Sequence, residues 1–143
     1  MKCEVIIDPN SEEKVVIYAK EESELVKNIK ILAEQNTKTL HGYTNNEIVN
    51  LNPYDIHCFC IIDNKVFALC EKQRYLLKER LYSLEDKLPK NFIKINQSCL
   101  ANIEKIEKFD TSITGTLKIY FKNGHIDYVS RRQLKFIKER LGI

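Results

Sequence analysis

The sequence predicts an α+β fold made mostly of antiparallel strands, with a few flanking helices. Its 143 residues can form a substantial hydrophobic core without disulfides or metals. Short runs of β-branched and aromatic residues alternate with Asn, Asp and Gly turns, which is typical of hairpins. The clearest hairpin pairs Leu117–Phe121 with Ile126–Val129 around an Asn-Gly turn. Only three segments have the apolar spacing of helices.

The first of these helices belongs to a predicted N-terminal strand–strand–helix extension. Cys3–Ile7 and Val15–Tyr18 are short apolar runs separated by a turn cluster, and they predict two strands. Glu21–Glu34 has apolar residues three and four positions apart, which predicts the helix. We therefore expect an extension over residues 1–38 and a main domain over residues 39–143.

The main domain is predicted to begin with hairpins and to end with a helix. Leucines at helical spacing predict a second helix over Leu77–Leu88, which Pro89 ends. Ser130 is predicted to cap the third helix. The remaining strands are predicted at Leu40–Tyr43, Glu47–Leu51, Ile56–Ile62, Lys65–Cys70 and Phe92–Ile95.

Positive charge is concentrated in the last third of the chain. The formal net charge is +3, but residues 90–143 hold 11 Lys/Arg against 5 Asp/Glu, whereas residues 1–89 carry a net charge of −3. A basic segment on a near-neutral body is the electrostatic pattern of proteins that bind polyanions. A solvated basic face without a partner would have the same composition, so charge alone does not decide between the two.

The composition does not indicate a membrane or secreted protein. No run approaches the roughly 18 apolar residues of a membrane span, and the N-terminus has no signal-peptide core; we therefore expect a cytoplasmic protein. Cys58 and Cys60 are two residues apart, a spacing that needs further ligands to bind zinc. The five cysteines are expected to be reduced and mostly buried, and no metal, cofactor or small-molecule ligand is predicted.

The motifs of common enzyme classes are absent. The sequence has no P-loop, no dinucleotide-binding glycine motif and no His-Glu-x-x-His. Ser98 or Cys99 with His125 and Asp127 would need a hydrogen-bond geometry that sequence cannot establish. A phosphoacceptor aspartate fails because the alternating βα pattern of a receiver domain is missing. An enzyme is therefore not expected.

Three pairs of polar residues have the chemistry to recognise DNA. Arg131-Arg132 begins a predicted helix, where a guanidinium can pair with guanine or with phosphate. Asn96-Gln97 lies between a strand and a turn, and such amides can pair with adenine. Asn64-Lys65 lies at a hairpin tip that can reach a groove. Each pattern alone is also common on ordinary surfaces and turns.

Two longer motifs connect these pairs to a known family. The first is Phe92–Asn102, and the second runs from Leu117–Phe121 through Asn123-Gly124 to Val129–Arg132. In residue types, order and spacing, both are similar to the LytTR DNA-binding domain of bacterial transcription regulators. Residues 40–142 as a whole resemble that domain, and the N-terminal segment resembles the short extension of stand-alone LytTR regulators.

The resemblance implies an elongated, mostly antiparallel β fold rather than a helix-turn-helix. It also implies that strand-end loops enter successive major grooves of double-stranded DNA, with a homodimer on tandem half-sites. Positions 96 and 97 are often His and a basic residue in the family, so Asn96 and Gln97 are expected to change base preference or weaken affinity. The predicted DNA-binding residues are Asn64, Lys65, Lys94, Asn96, Gln97, Ser98, Arg131, Arg132 and Lys135.

The alternative is a protein-interaction module that keeps this fold without binding DNA. Its edge strands and the leucine stripe of Leu77–Leu88 would then contact a partner protein. A salt-dependent mobility shift on specific DNA would distinguish the regulator from this module.

Overall fold

The computed structural model describes residues 2–34 and 39–143. Contacts divide the chain into two units, Met1–Asn36 and Thr37–Ile143. Among the described residues, no helix is both long and apolar enough to cross a bilayer.

The described part of the first unit contains one helix, α1 (Glu24–Glu34). It begins three residues later than predicted, after Ser23, whose hydroxyl accepts a hydrogen bond from the Val26 amide at 3.3 Å. The two predicted strands, residues 3–7 and 15–18, are absent from the structure. Strands need hydrogen-bonded neighbours, and these segments have none among the described residues; Val5, for example, is 79% exposed. The strand–strand part of the predicted extension is therefore wrong.

The second unit contains a seven-stranded and a three-stranded sheet, in which all strand pairs are antiparallel. The first seven strands are β1 (Leu40–Tyr43), β2 (Ile48–Leu51), β3 (Cys58–Ile62), β4 (Lys65–Leu69), β5 (Arg74–Leu77), β6 (Phe92–Asn96) and β7 (Cys99–Asn102). The last three are β8 (Ile106–Asp110), β9 (Leu117–Phe121) and β10 (Ile126–Val129). Their spatial orders are β2-β1-β5-β4-β3-β7-β6 and β10-β9-β8.

Two helices complete this unit, α2 (Leu81–Glu85) and α3 (Arg131–Leu141). Strands separate each helix from the next, so the described residues contain no helix-turn-helix. The α+β, mostly antiparallel class predicted from sequence is confirmed. The helix predicted over Leu77–Leu88 is wrong at both ends: Leu77 pairs with Val66 in the sheet, and the helix covers only Leu81–Glu85.

The large sheet has a hydrophobic core on each face. Along β3, Cys58 and Cys60 face one core and Phe59 faces the other, as the two-residue period of a strand requires. The first core lies against β9, β10 and α3, with Phe121 and Ile137 almost completely buried. The second lies against α2. Burial on both faces fixes the register of β3, and so the direction in which its hairpin projects.

Candidate nucleic-acid interface

The β3–β4 hairpin ends in a tight two-residue turn. Asp63 and Asn64 have φ values of 51° and 61°, the left-handed conformation of a type I′ turn, which Asn and Asp tolerate better than most residues. Ile62 pairs with Lys65 at the base of the turn. Asp63, Asn64 and Lys65 are all exposed, so the tip presents an amide and a cation to solvent.

The β6–β7 turn lies beside this hairpin. The Ile61 amide donates a hydrogen bond to the Ser98 carbonyl at 2.9 Å, extending the pairing of β3 with β7. Gln97 and Ser98 are exposed at the turn. This backbone hydrogen bond holds two turns next to each other that are far apart in the sequence.

The start of α3 is fixed against the other side of the same turn. The Ser130 amide donates to the Ile95 carbonyl at 2.9 Å. Ile137, completely buried, anchors α3 on the core, which leaves Arg131 and Arg132 exposed at its first turn. We call the segments Asp63–Lys65, Gln97-Ser98 and Ser130–Arg132 the tip surface; all of their residues are exposed except Ser130, which is partly buried.

The side chain of Asn96 is engaged inside the protein rather than presented with its neighbours. Its Nδ2 donates to Asp127 Oδ1 at 2.8 Å and to the Tyr128 carbonyl at 2.7 Å, and its Oδ1 accepts from the Ser98 amide at 2.8 Å. Bidentate pairing with adenine needs an amide hydrogen, and both hydrogens are used. These bonds make Asn96 the side chain that positions the β6–β7 turn; its predicted role as a base reader stays a prediction.

A β-bulge explains this orientation of Asn96. Lys94 pairs with Leu100 and Asn96 with Cys99, so β6 advances two residues while β7 advances one. A bulge of this kind re-aims the following side chain. Lys94, before the bulge, points instead toward α2, where its Nζ lies 3.9 Å from Glu85 Oε1. Lys94 is therefore not part of the tip surface.

The most basic surface next to the tips is α3. Lys135 lies one helical turn after Arg131 and is exposed on the same side. The helix carries five basic residues and one acidic residue, Glu139. This concentration of charge accounts for much of the positive balance at the C-terminal end and can attract a polyanion to the tip surface.

The sequence indicated Asp127 only as a member of an unsupported catalytic group and did not predict that it holds Asn96. Burial acts to raise the pKa of Asp127, but the neighbouring His125 imidazole and hydrogen bonds from the Tyr128 amide and from Asn96 outweigh it, so the pKa is lowered. The same carboxylate raises the pKa of His125. A polar residue on the same side of β10 as the buried Val129 was the available signal.

Residues 46–142 match the family model of the LytTr DNA-binding domain. The chain belongs to the LytTR family. Membership confirms the resemblance drawn from the two motifs and gives the chain its general role in DNA binding and transcription regulation.

Relatives with related descriptions cover most or all of the chain. It is 38% identical over 146 residues to an uncharacterized HTH-type transcriptional regulator of Staphylococcus aureus strain NCTC 8325 / PS 47, covering 100% of this chain and 99% of the relative. It is 44% identical over 105 residues to a regulator of the same description from strain MSSA476, covering 73% and 71%.

The fold is similar to that of a solved LytTr domain. That structure is the LytTr DNA-binding domain of a putative methyl-accepting/DNA response regulator from Bacillus cereus, with a TM-score of 0.70 and 20% identity. The match covers 75% of this chain and 99% of the other. The LytTR fold predicted for the main domain is thereby confirmed.

Proposed function

We propose that this LytTR protein recognises specific double-stranded DNA by inserting the tip surface into successive major grooves, as a homodimer on tandem half-sites. The observation that supports this most directly is the pair of backbone hydrogen bonds that joins the three tips: Ile61 to Ser98 and Ser130 to Ile95. Exposed amide and guanidinium groups on a rigid β scaffold can reach base edges without first being ordered.

The exposed residues divide into two roles. Arg132, Gln97 and Asn64 carry groups that can hydrogen-bond base edges, and each good bidentate contact contributes roughly 1–3 kcal/mol of discrimination. Arg131, Lys65 and Lys135 are assigned to phosphates. Lys94, outside the tip surface, adds at most a charge that Glu85 at 3.9 Å offsets, and Ser98 contributes a hydroxyl beside Gln97.

A single copy of this surface offers only about three reading side chains. Three contacts at the stated energy are few for selecting one site among many, because each mismatched pair typically costs only about 1–3 kcal/mol. Two copies on adjacent half-sites double the number of contacts, and the linkage raises affinity without new chemistry. A homodimer on DNA therefore supplies the contacts that one copy lacks.

The decisive experiment compares Arg132→Ala with Lys135→Ala on the same helix. A duplex site selected from a random library by the parent protein is titrated in mobility-shift assays over a salt series. Arg132→Ala should lose roughly 5- to 150-fold in affinity for the selected site, the equivalent of one bidentate contact, with little change on non-specific DNA. Lys135→Ala should weaken binding to both duplexes alike and reduce the salt slope by about one unit.

Circular dichroism of both variants controls for folding, since both residues are exposed. Unchanged affinity of Arg132→Ala for the selected site would refute its reading role. A parent protein that selects no sequence, even at low salt, would refute the proposal as a whole and favour the protein-interaction module.

A further inference from the structure

Behind the tip surface, three cysteines and a histidine meet in the core between the two sheets. Cys58 and Cys60 point to the same face of β3, and Cys99 lies directly opposite Cys60 on β7. His125 reaches the cluster from the turn before β10. The thiols of Cys58 and Cys60 and one nitrogen of His125 all lie within 4.8 Å of one another, and Cys99 is buried in the same core.

The polar atoms of this cluster are poorly satisfied for a hydrophobic core. His125 Nε2 is buried and has no hydrogen-bond partner among the described residues. It lies 3.5 Å from Asp127 Oδ2, close enough for electrostatic attraction but without hydrogen-bond geometry. Buried nitrogens are normally paired. The imidazole nitrogen, the thiols and the carboxylate are all electron-pair donors. Their proximity favours the binding of a cation at this place.

We propose that this cluster binds Zn²⁺, with the thiolates of Cys58, Cys60 and Cys99 and the imidazole of His125 as its four ligands. Three Cys and one His is an established donor set for structural zinc. Binding releases the three thiol protons to solvent, and the bound cation replaces them as the partner of the sulfurs. Asp127 adds negative charge next to the imidazole and so supports a positive ion at this place.

The geometry requires only a small contraction. Zn–S distances of about 2.3 Å and Zn–N distances of about 2.0–2.1 Å place tetrahedral ligand atoms roughly 3.3–3.8 Å apart. The donor atoms of Cys58, Cys60 and His125 are within 4.8 Å of one another, so they need to close by about an ångström; the Cys99 sulfur lies outside this group and must move further to take the fourth position. All three thiols are on paired central strands, which restricts the cluster to one arrangement of its sulfurs.

The fold supplies the ligands that the sequence spacing lacked. Cys58 and Cys60 alone cannot complete a tetrahedral site, and the sequence therefore predicted no metal. Strand pairing adds Cys99, and the β9–β10 connection adds His125. This site is independent of the proposed DNA contacts, because none of its four ligands belongs to the tip surface.

The test uses the full chain, reduced and metal-free, with Cys3→Ser and Cys70→Ser to remove the two cysteines outside the cluster. Titration with Co²⁺ should saturate at one equivalent and give the strong visible absorption of a tetrahedral thiolate site, which Zn²⁺ then abolishes by displacement. Absence of a tetrahedral spectrum in this folded protein would overturn the proposal. This result does not depend on any substitution in the core.

Variants of the cluster locate the ion. Cys58→Ala together with Cys60→Ala should abolish the Co²⁺ spectrum, and His125→Asn should weaken the affinity at least tenfold and change the absorption envelope. Circular dichroism confirms that each variant is folded before titration. A tetrahedral spectrum that persists unchanged in the folded Cys58→Ala/Cys60→Ala variant would show that the ion binds elsewhere and would also overturn the proposal.

Discussion

Replacing Asn96 with alanine tests whether this side chain supports the turn or reads DNA. The substitution removes two donated hydrogen bonds, to Asp127 Oδ1 and to the Tyr128 carbonyl, and one accepted from the Ser98 amide. A neutral hydrogen bond contributes about 1 kcal/mol net, and one to a carboxylate about 1.5–3 kcal/mol. Because the site is only partly buried, we expect a loss of about 2–4 kcal/mol.

Urea denaturation measures this loss directly. A loss of this size is a large part of the roughly 5–15 kcal/mol that stabilises an ordinary domain. The midpoint should fall while the slope m stays constant, since the surface exposed on unfolding is unchanged. The neighbouring substitution Gln97→Ala is the matched control, because Gln97 is exposed and should change stability by less than about 0.5 kcal/mol.

Gln97→Ala and Asn96→Ala should differ both in DNA binding and in stability against urea. Gln97→Ala should change base preference at full stability, whereas Asn96→Ala should lose stability and weaken binding through a disordered turn. Asn96→Asp should be worse than alanine, since a second carboxylate would face Asp127. If Asn96→Ala were as stable as the parent and altered only the preferred base, the assignment of Asn96 as a positioning residue would be refuted.

Two further predictions concern the body of the domain. A Cβ at Gly42 would lie 2.7 Å from Tyr75 Cβ, so Gly42→Ala should force β1 away from β5. We expect chemical denaturation to show a loss of about 1–3 kcal/mol in stability. As the control, His41→Ala at the exposed neighbouring position should lower stability by less than about 0.5 kcal/mol. Burial and the nearby Lys105 lower the pKa of His57. As pH falls, the unfolded chain therefore takes up a proton on His57 before the folded protein does. Stability that is present above about pH 6.5 is lost below it, with a slope of at most about 1.4 kcal/mol per pH unit. His57→Phe should remove that part of the acid sensitivity. The raised pKa of His125, which acts in the opposite direction, is retained in the variant. An identical dependence of stability on pH for parent and variant would contradict this account.

Local turn chemistry made part of the fold predictable from sequence. The Asn123-Gly124 and Asp63-Asn64 turns were found because Gly124, Asp63 and Asn64 adopt positive φ at low cost. The strand β7 was missed because Cys99–Asn102 is buried at every position and so shows no alternation. The leucine stripe was predicted as one helix because Leu77 and Leu81 are buried in the same core. They share this core although Leu77 lies on a strand and Leu81 on a helix.

The candidate site was predictable residue by residue but not as an arrangement. Exposure of Arg132 and Gln97 follows from their place at a helix start and a turn. The engagement of Asn96 depends on Asp127, 31 positions away, and on a bulge that no local pattern indicates. The donor cluster likewise depends on strand pairing that brings Cys99 opposite Cys60. Pairings between distant segments are set by the whole sheet, so neither could be inferred from spacing.

The hydrogen bond from Ser130 to Ile95 has a consequence for synthesis in the cell. The three tips come from stretches that leave the ribosome at different times, and the arginines emerge last. A partly made chain can pair β3 with β4, yet it cannot hold DNA in the proposed manner until the final helix has docked. Under the proposed function, a chain that ended before α3 would lack one of the three tips and would bind DNA more weakly than the whole protein.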